Sequence, residues 1–101
     1  MKGQRLGFLG GGNMARALIG GFVGRGTPAA QLSVGEPSEP ARQQLARDFK
    51  LQVSADNGVA IDGCTLVIVA VKPQQAGAVL GAIAPQLRSA RPVVLSVAAG
   101  I

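Results

Sequence analysis

Leu6-Gly-Phe-Leu-Gly-Gly-Gly-Asn-Met-Ala15 is the stretch that most narrows what this chain can fold into. A short apolar run, Arg5 to Leu9, stops at three consecutive glycines, and a helical pattern begins directly after them. Gly10 and Gly12, with Ala15 in the third small position, have the G-x-G-x-x-G/A spacing of a strand-to-helix turn that cradles a dinucleotide. Gly10 permits the tight turn, Gly12 lets the backbone approach a pyrophosphate, and Ala15 keeps the helix close to the strand. The helix that starts there aims its unpaired N–H groups and positive dipole end at the phosphates. In a chain with 15 glycines such spacing also arises by chance, and a plain structural turn in another α/β protein is the bland alternative. Context favours the cradle, because Glu36 ends the next strand at about the separation expected of a ribose-binding carboxylate.

The rest of the chain alternates strand and helix. Asn13 to about Arg25 reads as the first helix, with Met14, Leu18 and Phe22 on one apolar face beside Ala15 and Ile19. Gly20 and Gly21 weaken that helix by on the order of 1 kcal/mol each, and close packing against a neighbouring element is the expected reason. Gln31 to Gly35 is a second strand. In Glu36-Pro-Ser-Glu-Pro40, Ser38 is placed to cap a second helix and Pro40 suits its first turn. Ala41, Leu45 and Phe49 mark the buried face of that helix. Leu51 to Val53 is a brief third strand, and Asp56 caps a short helical turn through Val59 and Ile61.

Thr65 to Val71 is apolar and β-branched throughout, as expected of a central parallel strand covered on both faces. Pro73 starts a fourth helix with Ala76, Val79, Leu80, Ile83 and Leu87 at helical spacing. Pro85 is expected to stop the regular helix near Ala84, leaving a looser turn to carry Leu87. Arg91 to Val97 is a fifth strand. The alternation predicts a parallel sheet with right-handed crossovers and helices on both faces. Ligands bind such sheets beyond the carboxyl ends of the strands, where the strand order reverses. The loops after the strands are therefore the ones to watch. Lys72 follows a buried strand into that crevice, although a surface lysine is the plain alternative. Asn57 lies in Asp56-Asn-Gly58, which is also ordinary turn chemistry.

With 101 residues the chain is expected to form one domain, 1–101. Hydrophobic residues make up 48% and charged ones 15%, which suits a globular core and not a disordered segment. No apolar run reaches the ~18 residues of a membrane span, so no membrane partner is expected and a cytoplasmic location is. The net charge of +5 comes from Lys and Arg scattered along the sequence, with no Trp or Tyr. That argues against nucleic acid as a partner. Cys64 is the single cysteine and there is no His. The chain thus offers no nucleophile–base pair and no metal-ligand cluster, and reactive chemistry would come from a cofactor.

Four blocks carry a resemblance. Gly7 to Gly21, Asp56-Asn57, Ala70-Val-Lys-Pro-Gln74 and Leu95-Ser-Val-Ala-Ala-Gly-Ile101 together resemble the amino-terminal domain of the pyrroline-5-carboxylate reductases. The resemblance implies a Rossmann-type α/β fold of about five parallel strands. It implies an enzyme that reduces the C=N bond of 1-pyrroline-5-carboxylate to L-proline by hydride transfer from NADPH or NADH. By the same resemblance Gly11, Gly12, Asn13 and Met14, on the turn that Gly10 permits, would hold the pyrophosphate, and the turn at Glu36 and Ser38 the adenosine ribose end. Asn57 would touch the adenosine side, while Val71, Lys72, Pro73 and Ala99 would line the path to the nicotinamide.

NADP is the cofactor favoured by the family, and NAD by Glu36, whose carboxylate repels a 2′-phosphate. Ser38 and Arg42 are the residues placed to compensate. Family members continue into a helical domain that dimerises and supplies the substrate carboxylate site and a proton donor. The sheet is accordingly expected to be incomplete at its C-terminus, with small-molecule substrate a partner only when that domain is supplied. Its open edge would invite a second copy as a homo-oligomer. Two other readings compete: the cofactor domain of a deazaflavin-linked NADP oxidoreductase or a 3-hydroxyacid dehydrogenase, and a free-standing nucleotide-binding module.

Overall fold

Each run of buried, β-branched residues becomes a strand, and each amphipathic stretch between them returns as a helix. The computed structural model describes residues 4–97. In chain order it comprises β1 (Leu6–Leu9), α1 (Asn13–Gly24), β2 (Leu32–Gly35), α2 (Glu39–Phe49), β3 (Gln52–Ser54), α3 (Asn57–Ile61), β4 (Leu66–Val69), α4 (Pro73–Ala90) and β5 (Val93–Ser96). A 3-10 turn at Ala29–Gln31 leads into β2, so Gln31, expected to open the strand, lies in the turn before it. The strands lie in the order β3-β2-β1-β4-β5 and every pairing is parallel. This is the expected Rossmann-type architecture. Strand order reverses between β1 and β4, so the loops after those two strands open beside one another.

The core is split by the sheet. On one face Phe8, Ala15, Ile19, Val34, Leu45 and Ile68 pack under α1 and α2. On the other, Leu9, Ile61, Cys64, Val67, Val69 and Ile83 pack under α3 and α4. β1 and β4 are buried on both faces, which explains why their sequences do not alternate. Phe8 and Phe22 meet edge to face with ring centroids 6.1 Å apart, tying β1 to α1. Cys64 is free and buried, as the absence of a second cysteine requires.

Two expectations are corrected. α4 does not stop near Ala84 but runs through Pro85 to Ala90. Ile83 is buried and Leu87 packs on the same cluster, so the contacts on either side of Pro85 hold the helix together. The proline ring itself is exposed. Nor do Gly20 and Gly21 relieve a close approach. A Cβ on Gly20 would reach only the Phe49 ring at 3.9 Å, and one on Gly21 would meet nothing within 4 Å. The apolar run Thr65–Val71 behaves as expected, since β4 lies inside the sheet between β1 and β5, paired in parallel with both. All four residues of β5 are exposed, with Val93 at 67%. None of the described helices is long and apolar enough to cross a membrane.

Candidate functional site

The loops that follow β1, β2 and β4 converge on a cleft of about 760 Å³. Its floor is the glycine turn. Gly10 has φ +98°, a left-handed conformation that glycine adopts without strain, and a Cβ there would lie 2.5 Å from the Ala70 carbonyl oxygen. Its N–H donates to the Gly35 carbonyl at 2.8 Å, so the turn leaves the sheet only after the β1–β2 ladder is complete. Gly12 is the N-cap of α1 and differs in kind. Its φ of −81° is ordinary, and a Cβ there would meet no protein atom within 4 Å. The space a side chain would take at Gly12 belongs to the cleft.

No side chain caps α1 and no acidic residue lies in its first turn. Its leading N–H groups and positive dipole end are thus left for a ligand, and the group that suits them is an anion. Open space over Gly12 and an uncapped helix start are what a dinucleotide's pyrophosphate requires, so the residues present fit that group. Asn13 and Met14 line the cleft from the same turn.

Glu36 closes the cleft on one side. Its Oε1 accepts the Gly11 N–H and its Oε2 the Ser38 N–H, each at 2.8 Å. The carboxylate therefore joins the β1–α1 loop to the start of α2. Arg42 braces the same loop from behind, its Nη1 donating to the carbonyls of Glu36 and Pro37 at 2.8 Å. Asn57, the first residue of α3, packs its side chain against Gly35 at the end of β2. Asp56 holds α3 in place by accepting the Gly58 N–H at 2.8 Å and the Val59 N–H at 3.2 Å. On the opposite wall stand Val71 and Lys72, with Lys72 exposed at the N-cap of α4.

Nine of the expected residues line this one cleft: Gly10, Gly11, Gly12, Asn13, Met14, Glu36, Asn57, Val71 and Lys72. Ser38 and Pro73 stand beside it. Ser38 Oγ accepts the Ala41 N–H at 3.4 Å as the cap of α2, and Pro73 is the first residue of α4. Ala99 lies outside the described residues. Pro37 lies in the loop from Glu36 to Ser38 that the strand-end rule points to, whereas Gly35, Ala55, Ala70, Gln74, Gln75, Ala78 and Val79 were not anticipated as lining residues. Gly35, Ala55 and Ala70 end or follow strands and were within reach of the same rule. The α4 residues carry no such signal, because the side of a helix that faces a cleft depends on how the helix is docked. A smaller depression of about 290 Å³ lies between β3 and α3, lined by Ser33, Gln52, Val53 and Val59 among others. It has neither a cation nor the start of a long helix, and the glycine-turn cleft is the one equipped for phosphate. No cluster of metal-ligating side chains occurs among the described residues.

Sheet order, crossover point and glycine cradle define a dinucleotide-binding α/β domain. The chain belongs to the family described as NADP oxidoreductase, coenzyme F420-dependent, whose model matches residues 5–100. It is 40% identical to the pyrroline-5-carboxylate reductase of Pseudomonas aeruginosa, over all of this chain and 37% of that protein. A pyrroline-5-carboxylate reductase from Coxiella burnetii superposes with a TM-score of 0.92 at 26% identity, over 98% of this chain and 37% of that one. The Plasmodium falciparum pyrroline carboxylate reductase, solved with NADP bound, superposes at 0.79 and 29% identity, over 97% of this chain and 34% of that one. The chain thus spans little more than a third of the length of these relatives.

Proposed function

We propose that this chain is the cofactor-binding part of a pyrroline-5-carboxylate reductase, which reduces the C=N bond of 1-pyrroline-5-carboxylate to give L-proline. The observation that carries the reading is the glycine turn, where open space over Gly12 meets an uncapped helix start in the cleft between β1 and β4. The relatives supply the substrate, since those described above are named for it. A bound nicotinamide dinucleotide supplies the hydride. The chain's own residues bind and orient. The α1 N-terminus and the backbone of Gly11 and Gly12 hold the pyrophosphate, Glu36 faces the adenosine ribose, and Val71 and Lys72 border the path to the nicotinamide.

Glu36 and Lys72 are the ionisable side chains that line the cleft. Glu36 is tied to two backbone N–H groups at the adenosine end, so it is not the acid that protonates the product nitrogen. We assign that proton, and the grip on the substrate carboxylate, to the part of the relatives that lies beyond the span of this chain. The resemblance favours NADP as cofactor and Glu36 favours NAD. A chimera tests the whole reading: this chain replaces the matching first third of the Pseudomonas aeruginosa reductase. The expected result is pyrroline-5-carboxylate-dependent oxidation of NADH or NADPH. A folded chimera that binds dinucleotide but leaves the imine untouched would overturn the assignment of substrate.

A further inference from the structure

We propose that Gln86 is a positioning residue of the dinucleotide site: from α4, outside the cleft, it fixes the start of α3 and so the place of Asn57 in the cleft wall. The inference rests on the dinucleotide reading of the cleft and adds a residue that acts on it through another. α3 is five residues long, Asn57–Ile61. A helix of that length has no stability of its own in water, so its place is decided by what holds it. Its far end is anchored in the core, where Ala60 and Ile61 are buried and the Ala60 carbonyl accepts the Ser33 Oγ–H. Its near end carries Asn57 into the cleft. Asp56 caps that end from the preceding loop, and Gln86 ties it to α4, its Nε2 donating to the Gly58 carbonyl at 2.9 Å.

The local backbone is built to receive this contact. The Asp62 N–H, which would continue the α3 ladder to the Gly58 carbonyl, turns to the Val59 carbonyl instead, at 3.3 Å. The Gly58 carbonyl is thus open to a donor from outside the helix, and Gln86 supplies it. A Cβ on Gly58 would lie 3.0 Å from Gln86 Oε1 and 3.1 Å from Asp56 Oδ1, so the bare glycine leaves room for the amide and the cap together. On α4, Gln75, Val79, Ile83 and Gln86 recur on one face. Gln75 and Val79 line the cleft, Ile83 is buried beneath it, and Gln86 ends the stripe on α3. The continuation of α4 through Pro85 is what places Gln86 there, since a helix broken near Ala84 would take it off that face. Gln86 is not part of the cleft lining. Its loss leaves the Gly58 carbonyl without that donor and lets the start of α3 shift against Gly35, on which Asn57 packs.

Calorimetric titration with NAD+ across a double-mutant cycle of Gln86→Leu and Asn57→Ala tests this. Gln86→Leu is expected to weaken binding about three- to tenfold in the unaltered background, the worth of one ordinary hydrogen bond. In the Asn57→Ala background, where no side-chain amide is left to position, the same substitution is expected to change binding by less than about twofold. A merely structural role gives the same factor in both backgrounds, and that result would overturn the inference. Gln86→Glu keeps the size of the side chain but presents a carboxylate at neutral pH, which accepts and cannot donate. It is expected to bind as weakly as Gln86→Leu, and it decides where the leucine variant does not fold. Parental affinity in either variant would overturn the inference while leaving the reading of the cleft intact. An unaltered chain that binds no NAD+ would overturn that reading, and the role of Gln86 with it.

Discussion

Alanine at Gly10 and alanine at Gly12 remove the same hydrogen from two residues of one turn, yet they should fail in opposite ways. Gly10 has φ +98°, which costs an alanine about 1–2 kcal/mol. Its Cβ would also lie 2.5 Å from the Ala70 carbonyl oxygen and 3.0 Å from the carbonyl carbon. Those are backbone atoms at the end of a buried strand and cannot swing aside, so overpacking adds about 1–3 kcal/mol. Together these make roughly 2–5 kcal/mol, against a total stability of about 5–15 kcal/mol for a domain of this size. Gly10→Ala should therefore shift the urea midpoint strongly and lower Tm by about 10 °C or more. At Gly12 the backbone is already extended, with φ −81° and ψ −163°, and the added methyl would touch no protein atom. Its stability cost should stay within about 1 kcal/mol, the difference between glycine and alanine at a helix N-cap. Dinucleotide affinity should nevertheless fall at least about tenfold, because the methyl occupies the approach to the phosphates. Urea unfolding followed by circular dichroism, with calorimetric titration of the folded variants, reads both quantities. A Gly10→Ala chain as stable as its parent, or a Gly12→Ala chain that binds dinucleotide equally well, would refute the reasoning.

Pro85→Ala should stabilise the chain, by up to about 3 kcal/mol, because it restores an N–H inside α4 where Pro85 is exposed and holds no core position; a destabilised variant in urea unfolding would count against tertiary packing as the reason the helix continues. Asp48→Asn should cost no more than about 1 kcal/mol, with the difference shrinking in high salt, since the Arg16–Asp48 pair is partly exposed, at 30% and 37% for the two side chains. Asp56→Ala should cost about 1 kcal/mol by uncapping α3, and a loss well beyond that would show that Asp56 does more than accept the two N–H groups seen here.

Features set by neighbouring residues are the ones legible in the sequence alone. The glycine turn, the Ser38 and Asp56 caps and the unbroken apolar runs of β1 and β4 are all of this local kind. The path of α4 is not, because Pro85 argues locally for a break while Ile83 and Leu87, packed on a cluster from other strands, argue against it. Gly20 and Gly21 mislead for a related reason. A helical glycine suggests a neighbour close by, and the structure places open space or an ordinary contact there. At the site, spacing indicates that Glu36 belongs near the glycine turn, but only the fold reveals that it grips Gly11 and Ser38 at once. Gln74, Gln75 and Ala78 are invisible in the sequence as cleft residues, since their side of α4 is decided by docking.

On the reading proposed above, the glycine turn at the α1 N-terminus holds the pyrophosphate of a dinucleotide. Amide chemical shifts of the isotope-labelled chain during titration with NAD+ test it most directly. Saturable shifts are expected to concentrate at Gly11, Gly12, Asn13, Glu36 and Lys72, which line the cleft. Shifts confined to the depression between β3 and α3, around Ser33, Val53 and Val59, or no saturable shift at the glycine turn, would contradict it.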